Sequence, residues 1–436
     1  MDPVFDGARP SVTCRAPGKL FIAGEYAVVE PGNLAVLTAV DRYATATVID
    51  ASGTTAWPRT GDPASMTDGD GYAAITPRAG DPASMTDGDG HAAITHRADG
   101  ARHAVVTAGG DSGLASSGIT LHSDLDGGVS LACARAGDRL VPVTPDGAVP
   151  AAFAYVFAAV SVVERLRAER EIPSRPYDVA VSTDLGAADG RKYGLGSSAA
   201  VTVATVTALG RFHGLDLTAM ERYRLAMLAT ISVNPRASGG DVAAGTWGGW
   251  LAYGSPDRAV VAEIAAGDGI DAALRAPWPG LSVRPLPTPA GLALRVGWTG
   301  NPASTPALVG AAAGARGDRT EFNTRSNECV QRLTAAVETA DVAAIRAEID
   351  CARELLLELD QADQLGIMTP QLHALCTAGA AVGAAAKPSG AGGGDCGIAV
   401  IEDTGTAALV ELTDRWVAAG IRPLPLRTHP RAEEDA

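Results

Sequence analysis

The chain has 436 residues, more than the roughly 250–300 that a single core supports, so two lobes are expected. Hydrophobic residues make up 46% and charged ones 19%, which argues against disorder over most of the chain. A net charge of −15 argues against general nucleic-acid or acidic-membrane binding, which need basic surface, and requires any anion site to be built locally.

The opening Met1-Asp2-Pro3-Val4 lacks the basic-then-apolar order of a secretory leader, and a cytoplasmic location is expected. Thr13–Ala16 and Leu34–Ile49 read as strands, the second rich in Val, Thr and Ala with a charged break at Asp41-Arg42. From Ala51 to Gly147 the chain is turn-rich, with short β candidates such as Val105–Thr107. Within it, Gly61–Ala79 is followed at once by a near-perfect copy, Gly80–Ala98. Two copies are too few for a solenoid, and the Asp, Gly, Ser and Pro content suits an exposed loop. The pairs Asp68/Asp70 and Asp87/Asp89 lack the spaced ligands and distal Glu of a calcium loop.

Ala151–Arg170 reads as a helix, and its apolar run Ala151–Val163 is too short to span a bilayer. A strand at Tyr177–Ser182 precedes helices at Ser197–His213, ended by Gly214, and at Thr218–Ile231. Gly267–Pro289, with five prolines, reads as the boundary between lobes. That division gives an N-terminal lobe over residues 10–266, with 61–98 inserted, and a C-terminal lobe over 290–430. The second lobe begins with a strand at Leu292–Trp298 and helices near Thr320–Thr339, Val342–Leu359 and Pro370–Ala385. Strand Gly397–Ile401, helix Thr406–Ala419 and strand Ile421–Leu426 follow. Both halves mix the two element types, so the fold class is α+β. The six cysteines are scattered with no Cys-x-x-Cys pair, and neither a zinc site nor a disulfide framework is expected.

Of the 35 basic side chains only three are lysines, Lys19, Lys192 and Lys387, and each adjoins a glycine-rich segment. A lysine is a compact point charge that reaches between phosphate oxygens, where arginine is a planar fork. The segment Lys192-Tyr193-Gly194-Leu195-Gly196-Ser197-Ser198 carries the strongest signal. Gly194 and Gly196 let backbone N–H groups turn toward an anion, and Ser197-Ser198-Ala199 opens a helix whose free N–H groups favour phosphate. No Lys-Ser/Thr follows the last glycine, so it is not a Walker A loop. Asp184–Lys192 separates the preceding strand from the glycines, which rules out the dinucleotide fingerprint. Gly390–Gly394, four glycines and one alanine, reads as backbone that hugs a ligand. In Asn234-Pro235-Arg236-Ala237-Ser238-Gly239-Gly240-Asp241, the aspartate reads equally as a helix cap and as a catalytic carboxylate.

Taken together, these three segments resemble the motifs of the galactokinase, homoserine, mevalonate and phosphomevalonate (GHMP) kinase superfamily, in order from Ala16 to Cys396. Gly18–Val28 with its Gly24-Glu25-Tyr26, Asp189–Ser198, Gly297–Thr305 and Gly390–Gly397 are similar to the phosphomevalonate kinase family in particular. The resemblance implies a ribosomal-S5-like N-terminal lobe and a ferredoxin-like C-terminal lobe with the active site between them. It implies ATP and Mg²⁺ as cofactors and phosphomevalonate as the small-molecule substrate, phosphorylated to diphosphomevalonate in the mevalonate route to isoprenoids. Lys19, Lys192 and Asp241 become the expected catalytic residues, and Gly194, Leu195, Gly196, Ser197, Ser198 and Ala199 the ATP cradle. Expected at the substrate are Lys19, Glu25, Tyr26, Arg191, Arg236, Ser238, Gly239, Ser389, Gly390, Ala391 and Gly392. Mevalonate and homoserine kinases place a magnesium-binding Glu upstream of the Asp motif, where this chain has Thr230, which leaves Ser198 as the candidate ligand.

Charge agrees with the substrate. Phosphomevalonate carries a carboxylate and a phosphate near −2, and ATP adds more, so both need local cations such as Arg191, Lys192 and Arg236. Mevalonate kinase, another GHMP small-molecule kinase and a non-catalytic metabolite sensor remain the alternatives. Nucleic acid and membrane are not expected partners, and a monomer or homodimer is expected.

Overall fold

The computed structural model describes residues 10–52, 118–124, 128–301, 305–314, 319–403 and 406–432. The tandem repeat Gly61–Ala98 and the strand candidate Val105–Thr107 lie outside the described residues.

The first lobe is built on an eight-stranded sheet of order β5-β4-β3-β6-β2-β7-β8, with β1 also paired to β2. Its strands are β1 (Ser11–Ala23), β2 (Leu34–Asp50), β3 (Ile119–Ser123), β4 (Val129–Ala136), β5 (Arg139–Pro142), β6 (Tyr177–Thr183), β7 (Trp250–Gly254) and β8 (Ser282–Leu286). Strand β2 pairs with β7 through Leu34–Thr38 and with β6 through Ala44–Asp50. Ala44, Ala46 and Val48 alternate buried with half-buried neighbours, as a one-sided strand should, whereas Ala35–Val40 is buried throughout. The charged pair Asp41-Arg42 does not break the strand. It forms a bulge, because Pro17 pairs with Tyr43 and Gly18 with Val40.

Helices α1 (Ala154–Glu169), α2 (Ser197–Phe212) and α4 (Gly240–Trp247) pack with this sheet, α3 (Ala219–Val233) packs on all three, and α5 (Arg258–Gly267) and α6 (Ile270–Arg275) flank them. Helix α2 buries Ala199–Val206 without a break, so packing on all sides holds a segment rich in poor helix formers. Helix α3 is set by a capping box between Thr218 and Glu221.

The second lobe has a four-stranded sheet of order β10-β11-β9-β12, from β9 (Leu292–Trp298), β10 (Ala385–Pro388), β11 (Cys396–Glu402) and β12 (Arg422–Leu424). All three pairings are antiparallel, which gives the expected ferredoxin-like arrangement. Its helices are α7 (Thr305–Gly314), α8 (Thr320–Glu338), α9 (Val342–Asp363), α10 (Pro370–Ala381) and α11 (Thr406–Ala418).

Several boundaries differ from the sequence reading. The proline-rich segment Gly267–Pro289, read as the boundary between lobes, carries α6 and β8, and β8 extends the first sheet by pairing with β7. An edge strand tolerates Pro285, because β8 has a strand neighbour on one side only. The C-terminal segment returns to the first lobe: Asp41 Oδ1 accepts from Arg427 N at 2.7 Å, and His429 N donates to Ala39 O at 2.9 Å. Helix α10 stops before Gly383, so Ala385 and Lys387 lie on a strand. Among the described residues no helix is long and apolar enough to cross a membrane.

Candidate active site

The glycine-rich segment after Lys192 sits where β1, α2, α4 and the second lobe meet. Gly194 and Gly196 have φ of +80° and +77°, and Gly196 serves as the left-handed N-cap of α2. A methyl group at Gly196 would meet Lys19 Cγ at 3.2 Å and Asp241 Cβ at 3.3 Å. One at Gly194 would meet the Asp395 side chain at 2.6 Å. Only glycine supplies both the conformation and the room. The second lobe pins the segment further: Tyr193 stacks edge-on against Trp298 at 5.1 Å, and its carbonyl accepts from Cys396 Sγ at 3.0 Å.

Lys19 lies near the middle of β1, almost buried. Its backbone N–H donates to Leu195 O at 2.9 Å and its Nζ to Gly194 O at 3.1 Å, so strand and loop are fixed together. Asp241 stands in the first turn of α4, entered through Gly239 at φ +83°. Burial pushes its carboxyl up and the Lys19 charge opposes that. Lys19, Gly196 and Asp241 therefore come together, with the N-termini of α2 and α4 beside them. Positive helix ends and an ammonium suit the phosphoryl oxygens of a nucleotide.

Around this centre the expected residues divide. Lys192 is exposed, with Arg191 beside it. Arg191 pairs with Asp189 at 2.7 Å, donates to Gly300 O at 2.7 Å and lies 4.9 Å from the Trp298 ring, so it clasps the two lobes. Arg236 is exposed and stands near Gly310 of α7. Ser238 shapes the turn into α4, its carbonyl accepting from Tyr253 Oη at 2.6 Å.

On the second-lobe side, Tyr26 at φ +63° donates its hydroxyl to Ala391 O at 2.5 Å. Glu25 accepts from Lys387 and, at 3.4 Å, from Gly390 N. Ser389 Oγ accepts from Phe21 N at 2.9 Å and donates to Phe21 O at 3.0 Å. Its hydroxyl is thus occupied by the β1 backbone and joins the lobes. Gly392 at φ +70° packs against Ile367. Lys387 does not share the setting of the other two lysines, because its fully buried ammonium is held by Glu25 and Pro388 O. A glycine neighbour in sequence did not distinguish a structural lysine from a phosphate-facing one.

Sequence reasoning missed Tyr155, on the first turn of α1. Burial raises its hydroxyl pKa, as does the Asp241 charge, while a hydrogen bond with Ser198 opposes them. This tyrosine therefore reaches the α2 N-terminus, and no local motif marks it. Thr230 is buried and donates its hydroxyl to Ala226 O at 2.7 Å within α3. A threonine hydroxyl tied to its own helix cannot replace a carboxylate ligand. The hard oxygens that could hold Mg²⁺ beside the glycine loop are the Ser198 hydroxyl and the Asp241 carboxylate.

Residues 154–249 match the GHMP kinases N terminal domain and residues 336–416 the GHMP kinases C terminal domain. The chain is 43% identical over 427 residues to phosphomevalonate kinase of Streptomyces sp. strain CL190, covering 95% of this chain and 96% of that protein. A solved structure from Listeria innocua superposes with a TM-score of 0.74 at 28% identity, covering 97% of this chain and 100% of that one. Streptococcus pneumoniae phosphomevalonate kinase, solved with phosphomevalonate and AMPPNP, superposes with a TM-score of 0.69 at 24% identity, over 97% and 100% of the two chains. With its lysine-flanked glycine loop, its Asp241 centre and this near full-length likeness, the chain belongs to the GHMP kinase family, on its phosphomevalonate kinase branch.

Proposed function

We propose that the protein transfers the γ-phosphoryl group of ATP to (R)-5-phosphomevalonate, giving 5-diphosphomevalonate and ADP. The 43% identity to a phosphomevalonate kinase over nearly the whole chain carries this reading. The placement of Lys19, Gly196 and Asp241 supports it chemically.

ATP would lie along the Gly194–Ala199 segment with its phosphates at the N-terminus of α2, where Ser198 and Asp241 would help hold the accompanying Mg²⁺. Mg²⁺ supplies charge neutralisation of the phosphate oxygens. The acceptor occupies the opposite side, near Tyr26 and the Gly390–Gly392 backbone, with Arg191, Lys192 and Arg236 at the mouth offsetting its charge. Lys19 lies between the two phosphates and stabilises the transferring group. A phosphate monoester has a second pKa of about 6, so the acceptor is already mostly a dianion and needs little general-base help. Asp241 then orients Lys19 rather than taking a proton. Catalysis here is positioning plus preorganised charge.

A coupled ADP-release assay with each acceptor in turn tests this. Phosphomevalonate is expected to give the higher kcat/KM, and a higher value for mevalonate would overturn the assignment.

A further inference from the structure

Away from the phosphate loop, α8 and α9 form an antiparallel hairpin that sets Cys329-x-x-Arg332 against Glu348-x-x-Cys351. A spacing of three puts each pair on one helix face. Across the hairpin, Cys329 Sγ, Cys351 Sγ and a Glu348 carboxylate oxygen all lie within 4.8 Å of one another. Cys329 is buried, and Cys351 and Glu348 are half-buried, so the cluster is closed on its inner side and reachable from outside. Arg332 grips Glu348 through hydrogen bonds of 2.7 and 3.0 Å, and its Nη2 lies 3.8 Å from Cys351 Sγ.

We infer that Cys329, Cys351 and Glu348 form a binding site for a thiophilic divalent cation of the Zn²⁺ class, with water completing the shell. Two sulfurs and one carboxylate oxygen are ligands that Zn²⁺ accepts in tetrahedral geometry. Charge balances in both states. Without metal, two neutral thiols accompany the Glu348–Arg332 pair. With metal, two thiolates, one carboxylate, the dication and Arg332 again sum to zero. Uptake is then Zn²⁺ replacing two thiol protons, both released to solvent, with no oxidant or reductant involved. Arg332 donates to both carboxylate oxygens and toward Cys351, so it orients the ligand set as an outer-shell partner does. The bound ion would staple α8 to α9. Absence of a Cys-x-x-Cys pair gave no hint of this, because each helix contributes one sulfur.

The test is a Co²⁺ titration of the full chain, reduced and then desalted. A thiolate-to-cobalt charge-transfer band is expected to saturate at one ion per chain and to be lost on adding equimolar Zn²⁺. Cys351→Ser should abolish the band, and Glu348→Gln should weaken Co²⁺ binding by roughly tenfold or more. Equimolar Zn²⁺ should also raise the Tm of the parent protein and not that of Cys351→Ser. Cys351 is half-buried, so its serine variant is the one to rely on, with an unchanged melt in chelator showing that it folds. No band in the parent protein, or an equal band in Cys351→Ser, overturns the site.

Discussion

Lys387 on β10 and Glu25, just beyond β1, form an ion pair whose side chains are 0% and 3% exposed. Glu25 also accepts from Gly390 N at 3.4 Å, so the start of the glycine-rich segment in the second lobe hangs on a buried charge supplied by the first. A buried pair of this kind is weak evidence for net stability, but removing one partner strands the other. Lys387→Met should therefore cost about 3–5 kcal/mol in denaturant unfolding. The double variant Glu25→Gln with Lys387→Met should recover a large part of that loss. A single variant as stable as the parent would show that Glu25 finds another partner.

The other two lysines should behave differently. Lys19→Ala and Lys192→Ala are each expected to lower kcat by roughly 10²–10³-fold, the scale of losing one preorganised charge at a reacting centre. Lys192 is exposed, so its variant should melt at the parent temperature. Lys19 is buried and bonded to Gly194 O, so its variant should also lose about 1 kcal/mol of stability. Near-parental kcat in either variant would remove that residue from the reaction.

Asp241→Asn separates positioning from proton transfer. With saturating MgATP, kcat/KM of the parent should rise with pH through about 6, following ionisation of the acceptor phosphate. The Asn variant should be slower and keep the same acidic limb. Loss of the limb in the variant alone would make Asp241 the general base. The same variant has a stability signature. Burial holds the Asp241 carboxyl pKa above its unfolded value, against the pull of Lys19. The stability tied to its neutral form is complete below the unfolded pKa of about 3.9 and is lost as pH rises through the higher folded value. Asp241→Asn should thus be more stable than the parent at neutral pH, with the difference vanishing in acid.

Glu164 works in the opposite sense. Burial pushes its carboxyl up, but His213, Arg135 and Tyr177 together outweigh that and hold it far below the usual carboxylate range. Arg135 Nε and Arg167 Nε donate to it at 2.8 and 3.0 Å, and Tyr177 Oη at 2.7 Å. Its folded pKa is depressed, so its stabilisation is present above the unfolded pKa of about 4.3 and is lost as pH falls toward the folded value. Glu164→Gln should cost about 3 kcal/mol at pH 7, the scale of breaking a buried pair, and progressively less below pH 4. A pH-independent loss would show that packing, not charge, is what the carboxylate contributes.

The candidate site was only partly legible beforehand. Glycines at Gly194 and Gly196 report a local backbone requirement, and the requirement is visible in the residues themselves. The separate settings of Lys19 and Lys387 were not, because both adjoin glycines and both are buried, and only their partners, Gly194 O and Glu25, tell them apart. Ser389 looked like a ligand-binding hydroxyl for the same reason, and its partners Phe21 N and O lie 368 positions away. Tyr155 and the Cys329–Cys351 cluster had no local signal at all.

The sequence by itself determined the α+β class, most element positions in the second lobe and the phosphate loop, since periodicity, capping residues and glycine runs act over a few residues. It read Gly267–Pro289 as the boundary between lobes but did not show that the segment carries α6 and the edge strand β8, which only the pairing with β7 reveals. Only the tertiary structure decided that Lys19 and Asp241 flank Gly196, and that Arg191 clasps the second lobe through Gly300. It alone separated the ion-paired Lys387 from Lys19, which bonds only a loop carbonyl, because charge pairing depends on what the rest of the chain brings within a few ångströms.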